Sequence, residues 1–242
     1  MSHILFMRLA GPMQSWGVKS RFSRRDTGKE PSKSGVIGLI CAAMGIDRDN
    51  DSHPDFIGLQ KTRLGIRVLR GGNMESDYHT ARDVAIADAK QKKDRTFTTK
   101  DTELSTRFYL ADADFIVALE SDDRDLLERV HAALKRPKWQ LFLGRKAFVP
   151  SVPVFVRDEL AIVEGSDILS ALSDDSLIER LCLSDPHRPF DVRQRIVIED
   201  PENGSEIRQD VPLSFVDRRF TIRRVRTTFA TNSGGENNVS IP

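Results

Sequence analysis

The run His3 to Leu9 (HILFMRL) is apolar and closes at Gly11-Pro12, the pattern of a buried strand that ends in a turn. What comes next limits the fold further. Ala10 to Ser32 is rich in Gly, Ser, Lys and Arg and is too long for an ordinary strand-to-helix connection, so it is functional or disordered. A helix then starts near Ser32 or Ser34, whose hydroxyl can cap free amides; Val36, Ile37, Ile40 and Met44 share one face, and Gly45 ends it.

Thr62 to Leu69 alternates Leu64, Ile66 and Val68 with Arg63, Gly65 and Arg67, which predicts a half-buried strand with a basic solvent face. Ala113 to Leu119 predicts another strand, and Asp122 to Leu134 a helix with Leu126, Leu127, Val130 and Leu134 at helical spacing, stopped by Pro137. With a fourth strand at Val152 to Val156 the order becomes β-α-β-β-α-β, the ferredoxin-like arrangement shared by RNA-recognition domains. Gly71 to Leu110 has no sustained apolar face and reads as a protruding arm, where Thr96, Thr98, Thr99 and Thr102 favour a hairpin. After Arg157 come an acidic helical region (Ser166 to Cys182), a strand-like Arg193 to Ile198, a turn at Pro201 to Gly204 and a basic strand at Phe220 to Val225. The expected fold class is therefore α+β: a ferredoxin-like domain over 1–157, a small mostly β domain over 158–230 and a polar, flexible tail over 231–242.

Charge is unevenly spread although the formal net charge is only +1. Residues 1–46 hold seven Lys or Arg against two acids, and residues 135–146 hold five against none, whereas 157–210 hold six against fourteen. Basic patches of this kind suit a phosphate backbone. Cys41 and Cys182, the only cysteines, are too few for a disulfide framework and too far apart for a metal-ligand pair. The longest apolar stretch, Gly35 to Ile46, is too short to span a bilayer, and the N-terminus has no cleavable signal pattern, so a soluble cytoplasmic protein is expected. P-loop, paired carboxylate and His-Glu-x-x-His patterns are missing, which leaves no basis for expecting a cofactor or metal. Asp122, Asp123 and Asp125 read as residues favoured by the dipole at a helix start.

Several constellations could carry binding chemistry. In Arg8 to Gly17 (RLAGPMQSWG), glycines let backbone amides approach phosphate, Gln14 and Ser15 can bond base edges, and Trp16 either stacks on a base or plugs the core. Arg21, Arg24 and Arg25 follow with charge. Ser32, Lys33, Ser34 and Gly35 gather two hydroxyls, a cation and free amides at a helix N-terminus, a natural phosphate site or a simple cap. Gly144-Arg145-Lys146 has the same chemistry on a loop. The arginines from Arg218 to Arg226 form a last basic stretch, with Arg224 and Arg226 on one strand face and Arg223 on the other.

RLAGPMQSWG after the first strand and PSKSGVIGLI at the first helix, with Asp77-Tyr78-His79-Thr80 and Leu141 to Lys146 in the same order, resemble the CasD proteins of type I-E CRISPR Cascade complexes. The resemblance implies a subunit that caps the 5′ handle of the crRNA, with a thumb at about Glu75 to Arg107, docking beside the backbone subunit CasC and the large subunit CasA and meeting target DNA only through the complex. The residues expected to contact RNA are Arg8, Gln14, Ser15, Trp16, Gly17, Arg21, Arg24, Arg25, Ser32, Lys33, Ser34, His79, Arg82, Gly144, Arg145 and Lys146. RNA binding without catalysis is the expectation. Two alternatives stand beside it: a metal-independent endoribonuclease using His79, Tyr78 and a lysine such as Lys90, Lys92 or Lys93, and a protein-binding adaptor.

Overall fold

The computed structural model describes residues 2–17, 23–85, 99–182 and 190–230. In chain order its elements are β1 (His3–Ala10), β2 (Met13–Gln14), β3 (Arg24–Arg25), α1 (Lys33–Met44), α2 (Pro54–Lys61), β4 (Arg63–Arg70), β5 (Asn73–Ala85), β6 (Thr99–Ala111), β7 (Asp114–Ser121) and α3 (Arg124–Lys135). The second half follows with α4 (Asp158–Ala161), β8 (Ile162–Glu164), α5 (Ile168–Ser173), α6 (Asp175–Cys182), β9 (Arg195–Glu199), β10 (Glu206–Ser214) and β11 (Arg219–Phe229). Seven strands build one sheet in the order β10-β11-β9-β4-β7-β1-β8, and every pairing in it is antiparallel. The protein is a mixed α/β molecule.

Local sequence explains the helix ends. Ser32 Oγ accepts from the Gly35 amide at the start of α1, and Gly45, at φ +72°, closes it in the left-handed conformation that glycine adopts without steric cost. Asp123 caps α3 by accepting from the Leu126 amide. Leu126, Leu127, Val130 and Leu134 turn inward from α3 and join Val36, Ile37 and Ile40 of α1 in the core on one face of the sheet. Pro54 opens α2, a helix that the apolar spacing did not announce.

Three expectations are corrected. Val152–Val156 is not a strand: it meets β1 through a single bridge from Met7 to Phe155, and the edge beyond β1 is taken by β8. β4 is buried on both faces from Leu64 to Leu69, because α5 covers the side where Arg67 was expected to meet solvent, while Arg63 at the strand start stays partly exposed. Arg67, 2% exposed, donates to Gln194 Oε1 at 2.6 Å, to the Leu172 carbonyl at 2.9 Å and to Asp175 at 2.5 Å. Third, the C-terminal strands form no sheet of their own. β9 pairs with β4, β10 and β11 continue outward, and the sequence boundary at 157/158 runs through one sheet and one core.

The interval expected to form an arm contains the antiparallel pair β5–β6, in register from Asn73 opposite Ala111 to Ala85 opposite Thr99. β6 also carries β2 and β3 on its other edge, which ties the base of this hairpin to the N-terminal segment. Lys90, Lys92, Lys93, Thr96 and Thr98 lie outside the described residues, as does the tail 231–242.

Candidate nucleic-acid interface

The motif around Trp16 is a scaffold. Gln14 is fully buried; its Nε2 donates to the carbonyls of Leu9 (3.0 Å) and Ala113 (2.8 Å), and its Oε1 accepts from Trp16 Nε1 at 3.1 Å. Every hydrogen-bonding group of the amide is thus engaged, and none is left for a base edge. The Trp16 ring, 2% exposed, lies over α1 where Gly35 has no side chain; a Cβ there would sit 2.8 Å from the ring. Trp16 therefore packs into the core against α1, and its remaining edge forms part of the wall of the cleft described below. Their position beside the first strand gives both residues interior partners.

Arg8 and Lys33 are held inward in the same way. Arg8 is 3% exposed and grips Asp114 with Nε at 3.2 Å and Nη2 at 2.7 Å. Lys33 is 1% exposed, donating to the Thr62 carbonyl at 2.5 Å and to Glu199 at 2.9 Å and 3.1 Å. Burial holds the Lys33 ammonium below the usual lysine range, with the Glu199 carboxylate opposing that shift. The backbone amide of Lys33 donates to Asp210, so a carboxylate of the chain itself supplies the negative charge that an α1 N-terminus attracts.

What faces outward is a cleft of about 470 Å³ between the α1 start, the hairpin base and the 144–145 loop. Arg25, Arg48, Arg107 and Arg145 line it, with Asp26 as the one carboxylate among the described lining residues. Ser15, Ser32 and Ser34 contribute to its wall, as do Gly17, Gly35 and Gly144. Gly144 has φ +97°, and a Cβ on it would fall 1.9 Å from the Ser15 carbonyl oxygen; only glycine lets this loop close on the N-terminal segment. That closure is fixed by the Ser15 amide donating to the Leu143 carbonyl at 3.0 Å.

Arg145 donates from Nη2 to the Phe108 carbonyl at 2.8 Å, and its guanidinium lies 5.3 Å from the Phe148 ring centroid. Burial, then the neighbouring Arg107 charge, holds Arg145 below the usual guanidinium range, while Asp77 opposes this. Positive charge is therefore crowded here, and a polyanion entering the cleft relieves that crowding. Arg107 is placed by a bond from Nε to Ser105 Oγ at 3.0 Å.

Of the other residues expected at the interface, Ser15, Gly17, Arg25, Ser32, Ser34, Gly144 and Arg145 come together in this cleft. Arg24 lies apart from the lining, its guanidinium 4.6 Å from the Phe108 centroid, and Lys146 is exposed on the same loop as Arg145. Arg21 lies outside the described residues. His79 and Arg82 are exposed on β5 and do not line the cleft. Tyr78 and His79 are successive strand residues, so their side chains leave β5 on opposite faces and do not converge as a catalytic pair.

Sequence reasoning missed Arg48, Arg107, Phe215 and Phe220, which also line the cleft. Strand alternation could have placed Arg107 opposite Asp77, but nothing local announces that Phe215, beyond β10, reaches α1. No helix among the described residues is long and apolar enough to cross a membrane.

An antiparallel α/β protein with a cationic cleft between its first helix and a long hairpin is the class these features define. A profile of the CRISPR-associated protein family (Cas_Cas5) matches residues 4–226, and the chain belongs to that family. It is 31% identical over 187 residues to the CRISPR system Cascade subunit CasD of Escherichia coli (strain K12), covering 71% of this chain and 76% of that protein. Among solved structures it is similar to a Cas protein crystal structure (33% identity, TM-score 0.66, covering 93% of this chain and 94% of the other). It is also similar to a chain of a CRISPR RNA-guided surveillance complex (31% identity, TM-score 0.68, covering 94% and 90%).

Proposed function

We propose that this chain is a non-catalytic RNA-binding subunit of a type I-E CRISPR Cascade surveillance complex, holding the crRNA 5′ handle in antiviral defence. The observation that carries this reading is the convergence of Arg25, Arg48, Arg107 and Arg145 from four separate segments on one cleft with a single lining carboxylate among the described residues. Four guanidiniums beside glycine backbone and serine hydroxyls suit several phosphates of one strand, with contacts that position RNA without reading its sequence. Membership of the Cas5 family and the likeness to a Cascade CasD subunit support the same assignment.

The strand order β8-β1-β7-β4, with α1 and α3 on one face, supports the ferredoxin-like reading of the first part of the chain, and the β5–β6 pair supports its thumb. Docking beside CasC and CasA belongs to the same reading, with target DNA met only through the complex, in the cytoplasm. The opposite orientations of Tyr78 and His79 favour binding over RNA cleavage.

A binding titration of handle-bearing guide RNA in EDTA, read beside a denaturing gel, tests this. Intact RNA retained with handle preference is the expected result. Cleavage that disappears in His79→Ala contradicts the non-catalytic reading, and unchanged affinity after charge reversal at Arg25, Arg107 and Arg145 contradicts the cleft.

A further inference from the structure

We propose that the apolar cavity next to the cationic cleft is a nucleobase pocket that takes one unstacked base of the bound RNA, an inference that rests on the RNA-binding reading above. The cavity measures about 420 Å³, within the roughly 300–1,000 Å³ of small-ligand sites. Leu39, Ile46, Phe56, Trp139, Phe142 and Phe215 form its apolar wall. Phe56 and Phe215 pair at 5.5 Å with their planes tilted by 41°, and Phe56 is 2% exposed, so this side is a rigid part of the core. Trp139, in contrast, is 40% exposed. The amides of Lys138 and Trp139 donate to the Ala43 and Ala42 carbonyls at the end of α1, which holds that indole in place without burying it.

Continuity with the cleft selects the occupant. Ser34, Gly35, Arg48, Gly144 and Phe215 line both spaces. A nucleotide has the same two-part chemistry, an anionic phosphate joined through a sugar to a flat, weakly polar base. Phosphates placed among Arg25, Arg107 and Arg145 leave an adjoining base beside Trp139 and Phe215, with Arg48 at the junction. A base splayed out of a single strand and stacked on aromatic side chains is how sequence-specific RNA recognition commonly works.

The rim also has groups able to read the base. Asp47, Asn50 and Asp51, on the turn between α1 and α2, line the cavity beside Arg48. Carboxylate and amide oxygens accept hydrogen bonds from exocyclic amino groups, so the pocket favours a base that carries one. An aliphatic peptide side chain from a partner would leave these rim groups without a counterpart.

The test is equilibrium binding of the full chain to handle-bearing guide RNA and to a series of the same RNA with one base removed at each handle position in turn. One position is expected to stand out, weakening binding about 5- to 150-fold, the equivalent of the roughly 1–3 kcal/mol of one base–aromatic stack. Intact RNA quenches the fluorescence of exposed Trp139, and Trp139→Phe removes that part of the quench. Trp139→Ala weakens binding to intact RNA but not to the RNA lacking the critical base, a coupling that general loss of fold does not produce. Normal binding of intact RNA with a flat base-removal series and an unquenched Trp139 overturns the pocket and leaves the cleft standing. Failure of the unaltered chain to bind any of these RNAs overturns both.

Discussion

Asp210, 3% exposed, accepts hydrogen bonds from Arg223 Nε at 2.6 Å, from Arg223 Nη2 at 2.9 Å and from the Lys33 amide at 2.8 Å. Burial alone would raise its pKa; the Arg223 bonds and charge, with the Lys33 amide, overcome this and hold the carboxyl below its ordinary value of 3.8. The folded form thus binds its proton less readily than the unfolded form does. The stability this confers is fully present above the ordinary value and is lost as pH falls through the folded-state pKa. Asp210→Asn is expected to cost about 3–5 kcal/mol at pH 7, the scale for breaking one side of a buried ion pair, and to flatten the acid limb of stability against pH. Urea unfolding at pH 7 and below pH 4 checks both; a variant as stable as the parent at pH 7 contradicts the assignment. For Trp16→Ala, truncation of a buried aromatic costs about 3–5 kcal/mol. The melting temperature is therefore expected to drop while RNA affinity, measured where the variant is still folded, stays within about twofold because the ring faces α1. Residue type alone left Trp16 open between stacking and core; what decides it is the bare Gly35 surface and the Gln14 bond, neither legible from composition.

At the scale of elements, the hairpin and the start of α1 divide the labour. β5 and β6 put Asp77, His79 and Arg107 on the face toward the cleft, and Tyr78, 72% exposed, on the other. Arg107→Glu is expected to weaken RNA binding at least tenfold and to reduce the slope of log affinity against log salt by about 0.7 for each phosphate that is no longer neutralised. Tyr78→Ala leaves that slope unchanged, and titrations at several salt concentrations separate the two; equal slopes in parent and Arg107→Glu contradict the placement of Arg107. The sequence makes α1, α3, β1, β4, β7 and β9 legible, because each has its own period, cap or turn. β8 and β10 were not legible: three residues carry too little pattern, and Pro212 with a register shift obscures the alternation of β10. The candidate site was half legible. The serine, glycine and Arg145 contributions sit in recognisable motifs, whereas Arg8 and Lys33 look like surface cations until Asp114 and Glu199, more than a hundred residues away, bury them.

At the scale of the whole molecule, residues after 158 are structural partners of those before. β9 shields the edge of β4, Arg67 depends on Gln194 and Asp175, and Lys33 depends on Glu199 with its amide on Asp210. The acidic surplus of residues 157–210 is therefore partly internal, matched against arginines and a lysine of the first half. A chain cut after residue 157 is expected to lack a cooperative unfolding transition, whereas the full chain unfolds in one; calorimetry distinguishes these, and a sharp transition in the fragment contradicts the single-sheet account. On the proposed reading, one arginine-lined cleft grips the RNA. Its most direct test is a titration of handle-bearing guide RNA against the parent and the triple variant Arg25→Glu, Arg107→Glu and Arg145→Glu, with matched melting temperatures. Binding in the parent is expected to be salt-sensitive and to collapse in the variant; retained affinity with an unchanged salt slope in a folded variant rules out the cleft as the RNA site.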